Sequence, residues 1–422
     1  MSEQPALLGG VPAVGIPLPH ANRLAFEAED RQAVNHFMET GGSISFFGHE
    51  PYLKDLERRL ADLFGRRFCL LLNSGTSALL VAYAALGLKS GEPVAVPANT
   101  FHATVTPLSL LGAIPRFVDC HANDGNLDPE SLERLLRQTP GIRAAVVTHM
   151  WGHPADLDEL QRLCHSFSIP LVEDVSLAVG AIRNGKRAGG VGTVACLSLG
   201  STKLLSGGQG GALLCDDPEI IQRAILLSHF GPRAQREVMH SGLRPYATTG
   251  LGANLRIHPL AAAIVSSRLE RFTERCAARS LRYRYLLSGL RDHPCLAPRE
   301  SPEGVTLGSW QGFHMPLHAE SMLTRDQLIR ALRAEGLEVS GLEDYGKLHT
   351  RPLFRTPPTW NRHPQESPVP RDVCPNADAF FDRRLFFPLF LDEPLTLMDQ
   401  YLEGCRKVGR YASQLAALFG NE

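Results

Sequence analysis

The residue that most invites a chemical reading is Lys203, within Ser198-Leu-Gly-Ser-Thr-Lys203-Leu-Leu-Ser-Gly-Gly-Gln-Gly-Gly211. No charged residue lies within seven positions of it on either side. Apolar surroundings disfavour the charged form of an amine. A lysine relieved of its proton condenses with an aldehyde, although a lysine snorkelling from a sheet edge would have the same local sequence. The run Pro170-Leu-Val-Glu-Asp174 ends in two acids. A carboxylate at Asp174 would keep a neighbouring aromatic nitrogen cation protonated, or it would be a solvated turn or helix cap. Asn73-Ser-Gly75-Thr76-Ser-Ala78 opens a helical pattern, where free N–H groups and the positive helix end suit a phosphate. A plain helix cap is the alternative there. Phe101, in Pro97-Ala-Asn-Thr-Phe101-His102, offers either a ring platform or a core side chain.

What must position these groups is an alternation of short apolar runs and helical patterns. Strands are expected at 68–72, 93–96, 115–118, 144–148 and 170–173, and helices at 76–86, 101–111, 128–137 and 156–167. This is the pattern of an α/β fold, a mostly parallel sheet flanked by helices on both faces. Ligands of such sheets sit at the carboxyl ends of the strands, which is where Gly75, Thr76, Phe101 and Asp174 fall. Lys203 lies on the glycine-rich link between two further strands, at 191–197 and 212–215. A phosphate cradle, a ring platform, an acid for a pyridinium and a lysine for an aldehyde are the parts that hold pyridoxal 5'-phosphate.

The composition is compatible with that reading. The chain has 422 residues, 44% hydrophobic and 21% charged, enough for two or three domains with a substantial core. A net charge of −1 gives no electrostatic case for nucleic acid or an anionic membrane as partner. Nine dispersed cysteines, none in a CxxC pair, suggest core thiols of a reducing compartment. Residues 1–19 lack the charged start and apolar core of a signal peptide. No run approaches a membrane span, so the expected location is cytoplasmic. There is no Walker lysine and no GxGxxG. His149 and His153 lack a third ligand at metal-like spacing, and are expected to be satisfied or substrate-facing.

The chain also resembles the DegT/DnrJ/StrS family of PLP-dependent aminotransferases, which act on keto-sugars and keto-cyclitols. The likeness runs in order through Leu7-Leu-Gly-Gly-Val-Pro-Ala, Asn73-Ser-Gly-Thr-Ser-Ala, Val96-Pro-Ala-Asn-Thr-Phe-His-Ala and Val118-Asp119. It continues with Asn126-Leu-Asp-Pro, His149-Met-Trp-Gly-His-Pro-Ala-Asp and Glu173-Asp-Val-Ser-Leu-Ala-Val-Gly-Ala, then the lysine segment. Asn254-Leu-Arg256, Ala261-Ala-Ala-Ile, Arg351-Pro-Leu-Phe354 and Cys374-Pro-Asn-Ala-Asp378 complete it. The resemblance implies the type I aminotransferase fold and a role for each matching position. Lys203 would carry the cofactor as a Schiff base and then move the proton. Asp174 would pair with the pyridine nitrogen. Gly75, Thr76 and Ser198 would bind the phosphate, and Phe101 would stack on the ring. Asn254 would reach the phosphate of a neighbouring subunit in a homodimer with shared sites. The implied reaction moves an amino group from an amino acid, glutamate or glutamine, to a keto-sugar or keto-cyclitol, in the biosynthesis of a secondary metabolite or cell-surface sugar.

Two positions depart from the family pattern. Leu177 stands where His or Gln is usual, and Gln209 where Glu is usual. The first removes a hydrogen-bonding group and the second a charge, leaving room for another PLP-dependent reaction: epimerisation, elimination or carbon–carbon bond formation. Beyond the central region, helices are expected at 29–40 and 51–64, joined by the glycine-rich loop 41–48. A long helix is expected at 258–287, strands at 310–316 and 337–340, helices at 324–335 and 394–418, and a proline-rich loop at 351–371. The arginines of 268–284 would form a solvated or interface face, or supply one substrate-carboxylate ligand. The expected organisation is an extended arm over 1–28, a large α/β cofactor-binding domain over 29–256, and a linking helix with a smaller α+β domain over 257–422.

Overall fold

The computed structural model describes residues 3–15, 26–40, 48, 50–342, 345–356 and 373–420. Most of the loop 41–48 and residues 357–371 of the proline-rich loop lie outside the described residues, as do residues 16–25 of the N-terminal segment.

Strand-forming apolar runs build a seven-stranded sheet in the order β1-β9-β8-β5-β4-β2-β3. Its strands are β1 (Phe68–Leu72), β2 (Pro93–Pro97), β3 (Ile114–Val118), β4 (Ala145–Thr148), β5 (Leu171–Asp174), β8 (Val194–Ser198) and β9 (Gly211–Cys215). The pairs among β3, β2, β4, β5 and β8 are parallel, whereas β9 runs antiparallel to both β8 and β1. A buried ribbon of this kind alternates its side chains between two faces. Leu70, Leu72, Val96, Val146 and Leu213 join one core cluster. Cys69, Leu71, Leu197 and Leu214 join a second on the opposite face, extended by Ala95, Val118 and Val147 in a third.

Helices α1 (Ala28–Glu39), α2 (Pro51–Phe64), α3 (Gly75–Ala85), α4 (Thr106–Leu111), α5 (Pro129–Gln138) and α6 (Leu157–Ser166) precede or link these strands. In α2 the stripe Leu53, Leu56, Leu60 and Phe64 is buried, and Gly65, at φ 66°, ends the helix in the left-handed region. Helix α3 begins on Ser74, whose hydroxyl accepts from the Ser77 N–H at 3.0 Å. The segment 101–111 is not one helix. A short 3-10 turn, His102–Thr104, precedes α4, because Pro107 fits a first helical turn but not a helix interior.

A small strand β6 (Ile182–Arg183) pairs antiparallel with both β7 (Lys186–Arg187) and β10 (Val305–Thr306), and β11 (Phe313–Pro316) pairs antiparallel with β12 (Arg384–Phe387). Residues 337–340 form no strand; Ser340 makes only an isolated bridge to Phe386. The β11–β12 ribbon, Tyr283, Phe390, Tyr401 and the helix Leu395–Arg410 share a fourth core cluster, on which Leu7, Leu8 and Val14 also pack. The expected long helix divides at Arg271 into Pro259–Glu270 and Phe272–Gly289. Its arginines are not uniformly solvated: Arg284 is exposed, and Arg271 and Arg282 are half-buried. Arg268, Arg275 and Arg279 are buried. Arg268 holds Asp30 of α1 at 2.6 Å, Arg275 pairs with Glu27, and Arg279 donates to the carbonyls of Ser309 and Phe390. Among the described residues, no helix is long and apolar enough to cross a membrane.

Candidate active site

The carboxyl ends of the parallel strands open into a cavity of about 1060 Å³. Gly75, Thr76, Phe101, Asp174, Ser198 and Lys203 all line it. Leu177 and Gln209, the two departures noted above, line it too. Asn254 does not. It is exposed, and its side-chain oxygen accepts from Arg256 Nε at 2.7 Å.

Helix α3 supplies one wall. Its first turn leaves backbone N–H groups without intrahelical partners. The Ser77 and Ala78 N–H groups are taken by Ser74, while those of Gly75 and Thr76 have no partner among the described residues. They face the cavity from the positive end of an eleven-residue helix. A side chain at Gly75 would place its Cβ 2.8 Å from Ser198 Cβ. Glycine therefore lets the α3 start and the end of β8 close on one another, so that two free N–H groups and the hydroxyl-bearing Thr76 and Ser198 line the same cavity. This donor set fits a phosphate.

Asp174 ends β5 and is 4% exposed. Thr104 Oγ1 donates to its Oδ2 at 2.8 Å, and the Ser176 N–H to its Oδ1 at 3.1 Å. Thr104 is itself within 2.8 Å of Thr100 Oγ1, which lies 2.8 Å from Thr148 Oγ1. The Tyr83 hydroxyl pins this turn by donating to the Thr104 carbonyl at 2.6 Å. The row of hydroxyls fixes the direction in which the Asp174 carboxyl points.

The other acid of the pair does something different. Glu173 points to the opposite side of the strand, where its Oε2 meets His149 Nε2 at 2.9 Å and the Gly189 N–H at 2.7 Å. Its Oε1 accepts from Val191 at 2.9 Å and also from Gly192. Burial alone would raise the Glu173 carboxyl, but His149 and these N–H groups reverse that and hold it below the usual range. His149 Nδ1 accepts from the Ala155 N–H at 3.0 Å, so Nε2 carries the proton. His149 is thus a satisfied core histidine.

Lys203 follows β8 on the glycine-rich link, its backbone N–H bonded to the Gly200 carbonyl at 3.0 Å. Its amine has no hydrogen-bond or ion-pair partner among the described residues. Burial lowers its pKa from 10.5 to about 8, with Asp174 pulling it up and the Arg279 guanidinium pushing it further down. Phe101, 47% exposed, stands at the mouth beside His102 and Tyr345, with ring centroids 4.2 and 5.9 Å away. The structure therefore brings together every expected residue except Asn254. It also adds residues that sequence reasoning missed: Thr104, Thr148, Trp151, Gln311 and Tyr345. Thr148 ends β4, so the rule that ligands sit at strand ends could have found it; the last two come from distant chain and carry no local signal.

A chain with a poised amine, an oriented carboxylate and an anion cradle in one cavity can hold an aldehyde cofactor that bears a phosphate and a basic ring. Comparison with known proteins agrees. Over 231 residues the chain is 36% identical to UDP-2-acetamido-2-deoxy-3-oxo-D-glucuronate aminotransferase of Pseudomonas aeruginosa, an alignment covering 54% of this chain and 61% of that enzyme. It is 28% identical over 439 residues to a putative L-glutamine:3-amino-2,3-dideoxy-scyllo-inosose aminotransferase of Streptoalloteichus tenebrarius, spanning 98% of this chain and 100% of the relative. The fold matches the crystal structure of an aminotransferase from Psychrobacter cryohalolentis with a TM-score of 0.81 at 21% identity, over 94% of this chain and 99% of the other. The model of the DegT/DnrJ/EryC1/StrS aminotransferase family matches residues 25–393, and the chain belongs to that family.

Proposed function

We propose that this chain is a pyridoxal-phosphate-dependent aminotransferase that passes the amino group of glutamate or glutamine to the carbonyl of a keto-sugar or keto-cyclitol, in the biosynthesis of a secondary metabolite or cell-surface sugar. The observation that carries the reading is the Lys203 amine, unpartnered and of lowered basicity, in the same cavity as Asp174 and the α3 cradle. When bound, the cofactor supplies an aldehyde for the amine and an electron sink for the donor's Cα. Lys203 Nζ would anchor the cofactor and, once released, would hold and return a proton at that nitrogen. Asp174, oriented by Thr104, keeps a ring nitrogen cation protonated. Gly75 and Thr76 N–H groups, with the Thr76 and Ser198 hydroxyls, bind the phosphate, and Phe101 covers the ring. Asn254 reaches the site of a second copy of the chain, making the working unit a homodimer. The cofactor-holding part spans 29–256 and the smaller α+β part 257–422. The relatives named for an oxo-sugar and for an inosose with L-glutamine support the substrate classes.

Borohydride reduction of the holoenzyme followed by peptide mass spectrometry tests this directly. The cofactor mass is expected on Lys203 in the wild type and nowhere in Lys203→Ala. A modified residue elsewhere, or normal turnover by Lys203→Ala, would overturn it.

A further inference from the structure

The cavity lining carries three buried polar atoms with no partner among the described residues: Trp151 Nε1, Gln311 Oε1 and Tyr345 OH. Leaving such atoms unpaired in a folded core is costly, and each of these side chains lines the cavity. Gln311, 7% exposed, has no freedom to turn its amide over. Its Nε2 donates to the Thr202 carbonyl at 2.8 Å, which can only accept, so the oxygen is the free atom. Trp151 packs on Tyr345 with centroids 4.8 Å apart. The wall is also held in uncommon backbone. Trp151 sits at φ 57° and Trp310, next to Gln311, at φ 46°. The two turns interlock through glycines: a Cβ on Gly312 would lie 2.4 Å from Trp151 Cε3, and one on Gly152 would lie 2.8 Å from Trp310 Cα. Left-handed non-glycine residues concentrate where a site over-determines its geometry.

Two donors and one acceptor on one wall match hydroxyl groups, each of which both donates and accepts. Among the described lining residues, the charged ones besides Lys203 and Asp174 are Arg333 and Glu338, both exposed. The buried Arg279 guanidinium acts on Lys203 but is not among the lining residues and donates to the Ser309 and Phe390 carbonyls. Among the described lining residues, exposed Arg333 apart, Lys203 is therefore the one cation that could take a carboxylate. We propose that Trp151, Gln311 and Tyr345 are the acceptor-recognition wall, reading uncharged hydroxyls of a polyhydroxylated ring next to the reacting carbonyl. The inference rests on the aminotransferase reading above.

The test compares two ketones as amino acceptors for the pyridoxamine-phosphate form of the holoenzyme: scyllo-inosose, which carries ring hydroxyls, and cyclohexanone, which does not. The quantity read is the ratio of their kcat/KM values, because damage to Lys203 positioning lowers both and cancels. Gln311→Leu, Tyr345→Phe and Trp151→Phe are each expected to reduce the preference for scyllo-inosose by about tenfold, the scale of one lost hydrogen bond at a buried partner. The two phenylalanine variants keep the ring packing and remain informative if Gln311→Leu does not fold. Unchanged ratios in variants that react well would overturn the wall alone. A wild type that accepts an amino donor but aminates neither ketone would overturn the acceptor class of the proposed function, and this inference with it.

Discussion

The lowered basicity of Lys203 can be measured in the cofactor-free protein. With a pKa of about 8, roughly a quarter of the amine is neutral at pH 7.5, against about one part in a thousand at the ordinary 10.5. Only the neutral form attacks a carbonyl, so the advantage over an unperturbed lysine is on the order of 200-fold. Reductive methylation with formaldehyde and cyanoborohydride, followed residue by residue with mass spectrometry, reads this fraction as a function of pH. Exposed Lys89 provides an internal reference. The Lys203 rate is expected to rise through a midpoint near pH 8. In Asp174→Asn the midpoint is expected to fall further, since that carboxylate pulls the amine upward. The same shift makes stability climb with pH between about 8 and 10.5, where the unfolded lysine binds the proton that the folded one has released. A Lys203 midpoint above pH 10, or an upward move in Asp174→Asn, would refute the argument.

Other perturbations separate the scaffold from the chemistry. Glu173→Ala strands His149 and three backbone N–H groups in the core and is expected to cost ~3–5 kcal/mol in urea unfolding. Because the Glu173 carboxyl is held below 4.5, the stability it contributes is intact above that pH and is lost as pH falls through its folded value, which acid melts of wild type and Glu173→Gln would compare. Thr104→Val removes the hydroxyl that orients Asp174; kcat is expected to drop by about tenfold with the fold and cofactor content unchanged. Gly75→Ala drives a methyl against Ser198, so cofactor affinity, measured by equilibrium dialysis, is expected to weaken while the apoprotein melts near the wild-type temperature.

The central sheet was legible because parallel strands buried on both faces read as unbroken apolar runs. β1 falls at the expected residues, and β2 to β5 end within one residue of expectation. Helix breaks were harder. Pro107 divides 101–111 by a rule that was available, whereas the division at Arg271 has no proline or glycine to mark it. The strand β12 and the absence of one at 337–340 depend on which partner reaches the β11 edge, a tertiary matter. In the site, residues at strand ends were readable in sequence because the topology gathers them. Gln311 and Tyr345 enter from chain more than a hundred residues beyond Lys203, and no local pattern distinguishes them. Arg268 and Arg275 misled because charge alone reads as solvent-facing, while their acidic partners lie over 230 residues earlier, at Asp30 and Glu27.

One close approach has a mechanical consequence. Gly211, where β9 begins, lies so near the α3 start that a Cβ there would come 2.2 Å from the Ser74 carbonyl oxygen. Ser198, where β8 ends, abuts Gly75 on the same turn. The loop bearing Lys203 is thus bolted at both feet to the single helix terminus that offers the anion cradle. A strain arriving from elsewhere in the molecule would carry amine and cradle along as one rigid bracket, so the span between them is insulated from the motions of the surrounding chain.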